Sequence, residues 1–266
     1  MTAPTPEKPS TVDPVVPPTA EPGLQDLIGN TPMVRLQRLR AASGGQVYAK
    51  LEYTNPGGSI KDRTALGLLR AAEEDGRLVP GGTVIEPTAG NTGIGLALVG
   101  VSRGYRVILV VPDKYSREKM MLMQALGGEL ELTPGADGMQ RAIERAFSLA
   151  ETLPDATVPQ QFANPANPRI HYQTTGPELW QQMEGSVDAV VIGVGTGGTF
   201  TGVSRYIKER NPRCLAVAVE PQGSILGGGE AGEHKVEGIG VSFLPETLDM
   251  ELIDEVITVS DEDAFA

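Results

Sequence analysis

Cysteine is nearly absent from this sequence: Cys214, inside "CLAVAVE", is the only one. An intrachain disulfide is therefore excluded, and so is a cluster of thiolates around zinc. Histidine is almost as scarce. His171 and His234 are far apart in the chain, with no carboxylate pattern beside them, which gives little support to a metal site or a Ser-His-Asp triad. Basic residues are outnumbered, 22 Lys and Arg against 34 Asp and Glu, for a formal charge of −12. No surplus of cations is left to neutralise the phosphates of nucleic acid or of an anionic membrane. Long apolar runs are missing too: none approaches the roughly 18 residues of a membrane span, and the first residues carry no apolar signal core. The expectation is a cytoplasmic protein with a solvated acidic surface, no resident metal, and neither nucleic acid nor membrane as partner.

What remains is ample for a folded enzyme-sized core, with 266 residues of which 40% are hydrophobic. Residues 1–22 are proline-rich and read as a disordered extension. Short apolar or alternating runs at 47–52, 83–87, 106–112 and 129–133 read as strands, and helical patterns fall at about 60–76, 91–103, 116–127 and 137–152. Past a joint rich in proline and asparagine at 161–169, a helical region at about 170–184 is expected to break at Gly176-Pro177. A strand at 187–194, a helix at 199–210, a strand at 214–220, a glycine-rich loop at 221–243 and a strand at 253–259 complete the reading. Strands that alternate with helices of this length imply an α/β protein of parallel sheets, in two lobes that meet at a cleft. The last residues, "SDEDAFA", open with a capping-box spacing from Ser260 to Asp263 and then stop, so the chain is expected to be truncated at the C-terminus.

Three glycine-rich loops each precede a helix. Gly193-Val-Gly195-Thr-Gly197-Gly198 satisfies G-x-G-x-x-G, and Glu220 ends the next strand about where a ribose-binding acid would lie, which is a dinucleotide reading. The broader reading is an anion site, in which backbone N–H groups of 195–199 converge at a helix start and the hydroxyls of Thr196 and Thr199 add donors. "PTAGNTG" at 87–93 offers Thr88, Gly90, Asn91 and Thr92 to a carboxylate or a polar ring edge, or simply caps its helix. "NPGGSIKDR" at 55–63 puts Ser59 as N-cap, Asp62 as the acid of a capping box, and Lys61 in the first turn, where a cation is disfavoured. A lysine so placed has its neutral amine within reach, the form that attacks a carbonyl to make a Schiff base. The alternatives are a lysine that extends into water or pairs with Asp62.

"IGNTPMVRL", "KLEYTNPGGSIKDR", "EPTAGNTGIGLA", "QFANPANP", "TTGPELW", "GVGTGGTFTGV" and "VEGIGVSFLPETLD" resemble, in order, segments of the cysteine synthase (O-acetylserine sulfhydrylase) and cystathionine β-synthase family. These are pyridoxal-phosphate enzymes of the tryptophan-synthase-β fold type (fold type II), and the resemblance covers about residues 24–266. It implies that Lys61 holds pyridoxal 5'-phosphate as an internal aldimine, that Asn91 contacts the ring hydroxyl, and that Gly195, Thr196, Gly197, Gly198 and Thr199 hold the phosphate. Thr88, Gly90, Asn91 and Thr92 would bind the substrate carboxylate with help from Gln161, and Gly238 of "EGIG" would face the substrate amine. A smaller mobile lobe near 47–159 would close on a larger one made of 23–46 and 160–266. The implied reaction is β-replacement: O-acetyl-L-serine loses acetate to give an α-aminoacrylate, sulfide adds, and L-cysteine leaves, with ping-pong kinetics. A homodimer and, as partner, the C-terminal tail of serine acetyltransferase follow from the same resemblance.

Two departures stand out. Ala89 occupies a position where the family usually has serine, and the family's segment that supports the pyridine nitrogen lies beyond residue 266. Cystathionine β-synthase chemistry with homocysteine is the enzymatic alternative, and a truncated homologue with only a binding role is the non-catalytic one.

Overall fold

Two N-terminal strands set the chain apart from a simple run of βα units. The computed structural model describes residues 23–40, 44–88 and 90–266, so the 1–22 extension and Ala89 lie outside the described residues. β1 (Met33–Arg40) and β2 (Gln46–Lys50) pair antiparallel, with Met33 opposite Lys50 and Arg35 opposite Tyr48. The run at 47–52, read from sequence as one of the parallel series, thus finds its partner in the segment just before it. Its alternation fits a half-covered antiparallel ribbon, whose polar positions need no second covering layer.

The strands of the next sheet behave differently. α1 (Lys61–Glu74) leads into β3 (Thr83–Pro87), α2 (Asn91–Ser102), β4 (Arg106–Pro112), α3 (Arg117–Ala125), β5 (Glu129–Thr133), α4 (Gly138–Thr152) and the two-residue β6 (Ala156–Thr157). These strands form one parallel sheet in the order β5-β4-β3-β6, with Thr83 opposite Arg106 and Ile108 opposite Glu129. The inner strands β3 and β4 lack alternation because both their faces are covered, whereas the edge strand β5, "ELELT", alternates and is only partly covered. Val84, Val107, Leu109 and Val111 turn to α1 and α2, meeting Leu69, Leu96 and Ala97, while Ile85, Ile108 and Val110 turn to Ala142 and Ala146 of α4.

The joint at 161–169 leads into α5 (Ala166–Ile170), a π-helical turn at His171–Thr175 and α6 (Gly176–Gln182). The helix predicted from about 170 starts earlier and does not break at Gly176-Pro177. Pro177 is the second residue of α6, directly after the π-helical turn, and the chain passes through it in helical conformation. Gly176 is there for packing, since a Cβ would lie 2.7 Å from Cβ of Tyr206. β7 (Ala189–Gly193), α7 (Gly198–Lys208), β8 (Leu215–Pro221) and β9 (Glu255–Val259) then build a second parallel sheet in the order β7-β8-β9. Phe200, Val203 and Ile207 of α7 pack on Val190, Ala216 and Ala218. Cys214 is buried in the same cluster, which pushes its thiol pKa up. α8 (Asp261–Phe265) begins as the capping box requires, with Ser260 Oγ accepting from Asp263 N–H at 3.1 Å. Among the described residues no helix is long and apolar enough to cross a membrane.

Each sheet delivers a glycine loop from the C-terminal end of a strand to the start of a helix, β3 to α2 and β7 to α7. That edge is where loops of parallel sheets gather around a ligand.

Candidate active site

Lys61 is the first residue of α1, one position later than the sequence pattern expects. The N-cap is Ile60, which has no capping side chain, and not Ser59 as expected; Ser59 Oγ, one residue earlier, still accepts from Lys61 N–H at 3.2 Å. Asp62, however, does not close a capping box on Ser59. Its Oδ2 takes the Gly57 N–H at 2.6 Å and folds the Asn55–Gly58 turn back onto the helix. Burial raises the Asp62 pKa to about 6, against the Gly57 hydrogen bond, with Glu52 adding to the rise. Lys61 itself has its pKa lowered by burial. The sequence argument pointed to the helix terminus, and the structure assigns the cause to desolvation, with the same consequence: a more accessible neutral amine.

Arg63, two residues on, anchors this helix start. It is 1% exposed, and its guanidinium reaches Glu52 at 2.8 and 3.0 Å and Glu178 at 2.6 and 2.7 Å. Lys50 joins Glu178 at 2.9 Å. Burial alone would raise the Glu178 pKa, but its bonds to Arg63 and Lys50 outweigh that and hold it at about 2.

α2 crosses α1 at Gly95, where a Cβ would lie 3.0 Å from the Lys61 carbonyl and 3.1 Å from Ala65 Cβ. That approach sets the start of α1, where Lys61 stands, against the α2 helix that the 87–93 loop opens. Asn91 is the first residue of α2, and Thr88 Oγ1 accepts from Gly90 N–H at 3.3 Å. Thr92 donates to Gln161 Oε1 at 2.6 Å, which joins two residues that the sequence assigns to one ligand. Gln161 is held in turn by Glu86, a buried carboxylate at the end of β3 that accepts the N–H groups of Gln160 and Gln161, each at 2.9 Å.

On the other sheet, Gly197 adopts φ +84° as the cap of α7, a left-handed conformation suited to glycine, and the ladder starts only at Thr201 N–H to Gly197 O, 2.9 Å. The N–H groups before it have no carbonyl within the helix to bond, which is what an anion site at a helix start uses. Gly195 lies against "EGIG": a Cβ on it would stand 2.6 Å from the Gly238 carbonyl, and Gly240 N–H donates to Val194 O at 2.7 Å. Lys119 of α3 pairs with Glu237 beside Gly238, and its Nζ would lie 3.6 Å from a Cβ at Gly90. The three loops therefore converge. Glu220 does not belong with them as a ribose-binding acid. It is buried, accepting from Leu226 and Gly227 N–H at 2.8 Å and from Thr258 at 3.1 Å, and so fixes the loop after β8. Two open grooves, of 480 Å³ beside α1 and 161–169 and of 570 Å³ beside the 221–233 loop, include none of the residues that the resemblance assigns to cofactor or substrate, although Glu220 lines the second.

Residues that the sequence reading gave no role connect the loops. Asn167 Nδ2 donates to Gln161 O at 2.8 Å and to Thr196 Oγ1 at 2.9 Å. His171 lies 3.2 Å from both Thr64 Oγ1 and Thr199 Oγ1 through Nε2, and 2.9 Å from Thr175 Oγ1 through Nδ1. The available signal was their spacing: Asn167, His171 and Thr175 fall four apart, on one helical face.

Comparison with known proteins agrees with this convergence. Residues 24–266 match the family described as "Pyridoxal-phosphate dependent enzyme". An O-acetylserine dependent cystathionine beta-synthase of Bacillus subtilis is 49% identical over 242 residues, 91% of this chain and 79% of that one. A cysteine synthase of Staphylococcus aureus is 48% identical over 244 residues, 91% of this chain and 78% of that one. The crystal structure of O-acetylserine dependent cystathionine beta-synthase from Helicobacter pylori superposes with a TM-score of 0.85 at 45% identity, covering 92% of this chain and 81% of that one. A match that starts near the first described residue and runs to the last leaves one assignment: this chain belongs to the family of pyridoxal-phosphate dependent enzymes.

Proposed function

We propose that this chain replaces the acetoxy group of O-acetyl-L-serine with a sulfur nucleophile, with sulfide as the preferred one and L-cysteine as the product. The observation that carries the reading is Lys61, an amine with its pKa lowered by burial, at the point where the three loops converge. The residues fit the cofactor of the family. An aldehyde needs a neutral amine, and a phosphomonoester needs backbone N–H groups and hydroxyls without side chains in the way, which Lys61 and the Gly195–Thr199 segment offer. With pyridoxal phosphate bound, negative charge at Cα of the amino acid is stabilised, so that a leaving group can depart from Cβ.

The chain's own groups do the rest. Lys61 Nζ holds the cofactor and, when released, takes the proton from Cα as general base. Asn91 would contact the cofactor ring, and Thr88, Gly90, Asn91 and Thr92 with Gln161 would bind the substrate carboxylate. The Thr92–Gln161 hydrogen bond supports this, since both side chains already share one spot. Gly238 lies toward the substrate amine. The 47–159 segment moves as a lobe against the remainder and excludes water on closing. A cytoplasmic homodimer that accepts the tail of a serine acetyltransferase in this cleft belongs to the same proposal.

The B. subtilis relative, a cystathionine beta-synthase by name, supports a second reading with homocysteine as nucleophile. The test is product analysis with O-acetylserine plus sulfide against O-acetylserine plus homocysteine, together with borohydride reduction of the pyridoxal-phosphate-loaded protein and peptide mapping. The expected outcome is a label on Lys61, faster formation of cysteine than of cystathionine, and loss of at least ~10³-fold in rate in Lys61→Ala, on the scale of a lost general base. A label on another lysine in cofactor-saturated protein overturns the assignment of Lys61. Faster cystathionine formation replaces the first reading with the second.

A further inference from the structure

The hydrogen bonds behind the α7 loop carry directions as well as distances. Gln161 O is a carbonyl and can only accept, so the group of Asn167 that touches it at 2.8 Å is the NH₂. The second hydrogen of that NH₂ goes to Thr196 Oγ1 at 2.9 Å, and Thr196 Oγ1 is therefore an acceptor on its buried side. Asn167 Oδ1 faces Thr64 Oγ1 at 3.4 Å and takes the Thr64 hydrogen. With that hydrogen spent, Thr64 Oγ1 can only accept from His171 Nε2, 3.2 Å away. Nε2 must then carry the proton of a neutral ring, and Nδ1 accepts from the Thr175 hydroxyl at 2.9 Å. The ring is neutral because burial, and then the charges of Lys61 and Arg63, drive its pKa well below the usual value. The same Nε2–H reaches Thr199 Oγ1 at 3.2 Å, so this second loop hydroxyl also accepts from behind.

We propose that Asn167 and His171 are positioning residues that fix the polarity of the Thr196 and Thr199 hydroxyls, so that both O–H groups are left to donate to the phosphate of the cofactor. The proposal rests on the reading of the 195–199 loop as the phosphate site. It explains why Gly198 is glycine, since a Cβ there would lie 2.1 Å from Asn167 Oδ1 and push the amide out of its place. It also gives the π-helical turn at His171–Thr175 a use, because Nδ1 and Thr175 Oγ1 meet across that turn.

The test uses the full chain with ¹⁵N-labelled histidine, which gives signals from only two residues, His171 and His234, told apart by His234→Gln. Long-range ¹H–¹⁵N correlations, with and without pyridoxal phosphate, are expected to show His171 protonated at Nε2 in both states. A proton on Nδ1 overturns the proposal whether or not the cofactor binds. The second arm measures affinity for pyridoxal phosphate and for pyridoxal, which lacks the phosphate, in His171→Gln and His171→Asn. A Gln amide reaches the place of Nε2 and an Asn amide does not. The expectation is that His171→Asn loses roughly tenfold for pyridoxal phosphate, the scale of one hydrogen bond to a charged group, and little for pyridoxal, with His171→Gln near wild type. Equal losses for both ligands, or equal behaviour of the two variants, overturn it. Wild-type protein that binds pyridoxal and pyridoxal phosphate equally well sinks the phosphate-site reading itself, a separate result.

Discussion

Glu86 is fully buried at the end of β3, and two backbone N–H groups at 2.9 Å are its partners. Burial raises its pKa to about 7, with the hydrogen bonds from Gln161 and Gln160 opposing the rise. The sign of the linkage follows. Between the ordinary value of 4.5 and about 7 the folded chain binds this proton more tightly than the unfolded chain, so the contribution to stability is full below 4.5 and is lost as pH rises through about 7. The amount is on the order of 3 kcal/mol. Glu86→Gln removes that dependence and sets an NH₂ against one of the two N–H donors, for a loss of about 1–3 kcal/mol. Urea unfolding at pH 5 and at pH 8 checks both parts: the gap between wild type and variant is expected to be wider at pH 5 than at pH 8. An equal gap at the two values removes the titration from the account. Because Glu86 holds Gln161, the variant is also expected to raise KM for O-acetylserine.

Between helices the decisive contact is Gly95. Its hydrogen lets α2 come so near α1 that a Cβ would stand 3.0 Å from the Lys61 carbonyl and 3.2 Å from Asp62 Cα. Replacing glycine by alanine inside a helix gains about 0.5–1 kcal/mol in propensity, and overpacking costs about 1–3 kcal/mol. The clash falls on backbone, which yields least, so Gly95→Ala is expected to lower stability by about 1–2 kcal/mol in urea unfolding, and a stabilised variant would refute the close-packing argument. This contact was not legible in sequence, where "GNTGIGLALVG" shows glycines but not what each one faces. The elements themselves were largely legible. Apolar runs without alternation, at 83–87 and 106–112, became parallel strands because burial on both faces erases the period of two. β1 escaped because "MVRLQRLR" is half polar and its pairing is set by the neighbouring strand. The unbroken passage through Gly176 escaped because its reason, the ring of Tyr206, is distant in sequence. The site was legible loop by loop, but the buried groups behind it, Asn167 and His171, were not, because their partners Thr196 and Thr199 lie about thirty residues further along the chain.

At the scale of the whole chain, charge decides what holds distant segments together, and burial decides how much each pair is worth. Lys119 and Glu237 join α3 to the "EGIG" loop, but the side chains are 24% and 63% exposed, so the pair contributes about 0–1 kcal/mol and yields to salt. Arg63 is the opposite case. One guanidinium binds Glu52, which follows β2, and Glu178 of α6, so it fastens the N-terminal ribbon, the Lys61 helix and the helix before the second sheet at one point. Arg63→Met leaves two carboxylates without their main counter-ion in a poorly solvated place, and a loss of about 3–5 kcal/mol in urea unfolding is expected. Arg63→Lys is expected to recover little of it, because a point charge cannot serve two carboxylates in the fork geometry. In Arg63→Met/Glu178→Met, stability is expected to return in part, since one of the orphaned charges has gone with its partner. Additive losses in that double variant would mean that the cluster is held by packing around it, and the ion pairs would then be a consequence of the fold at this junction.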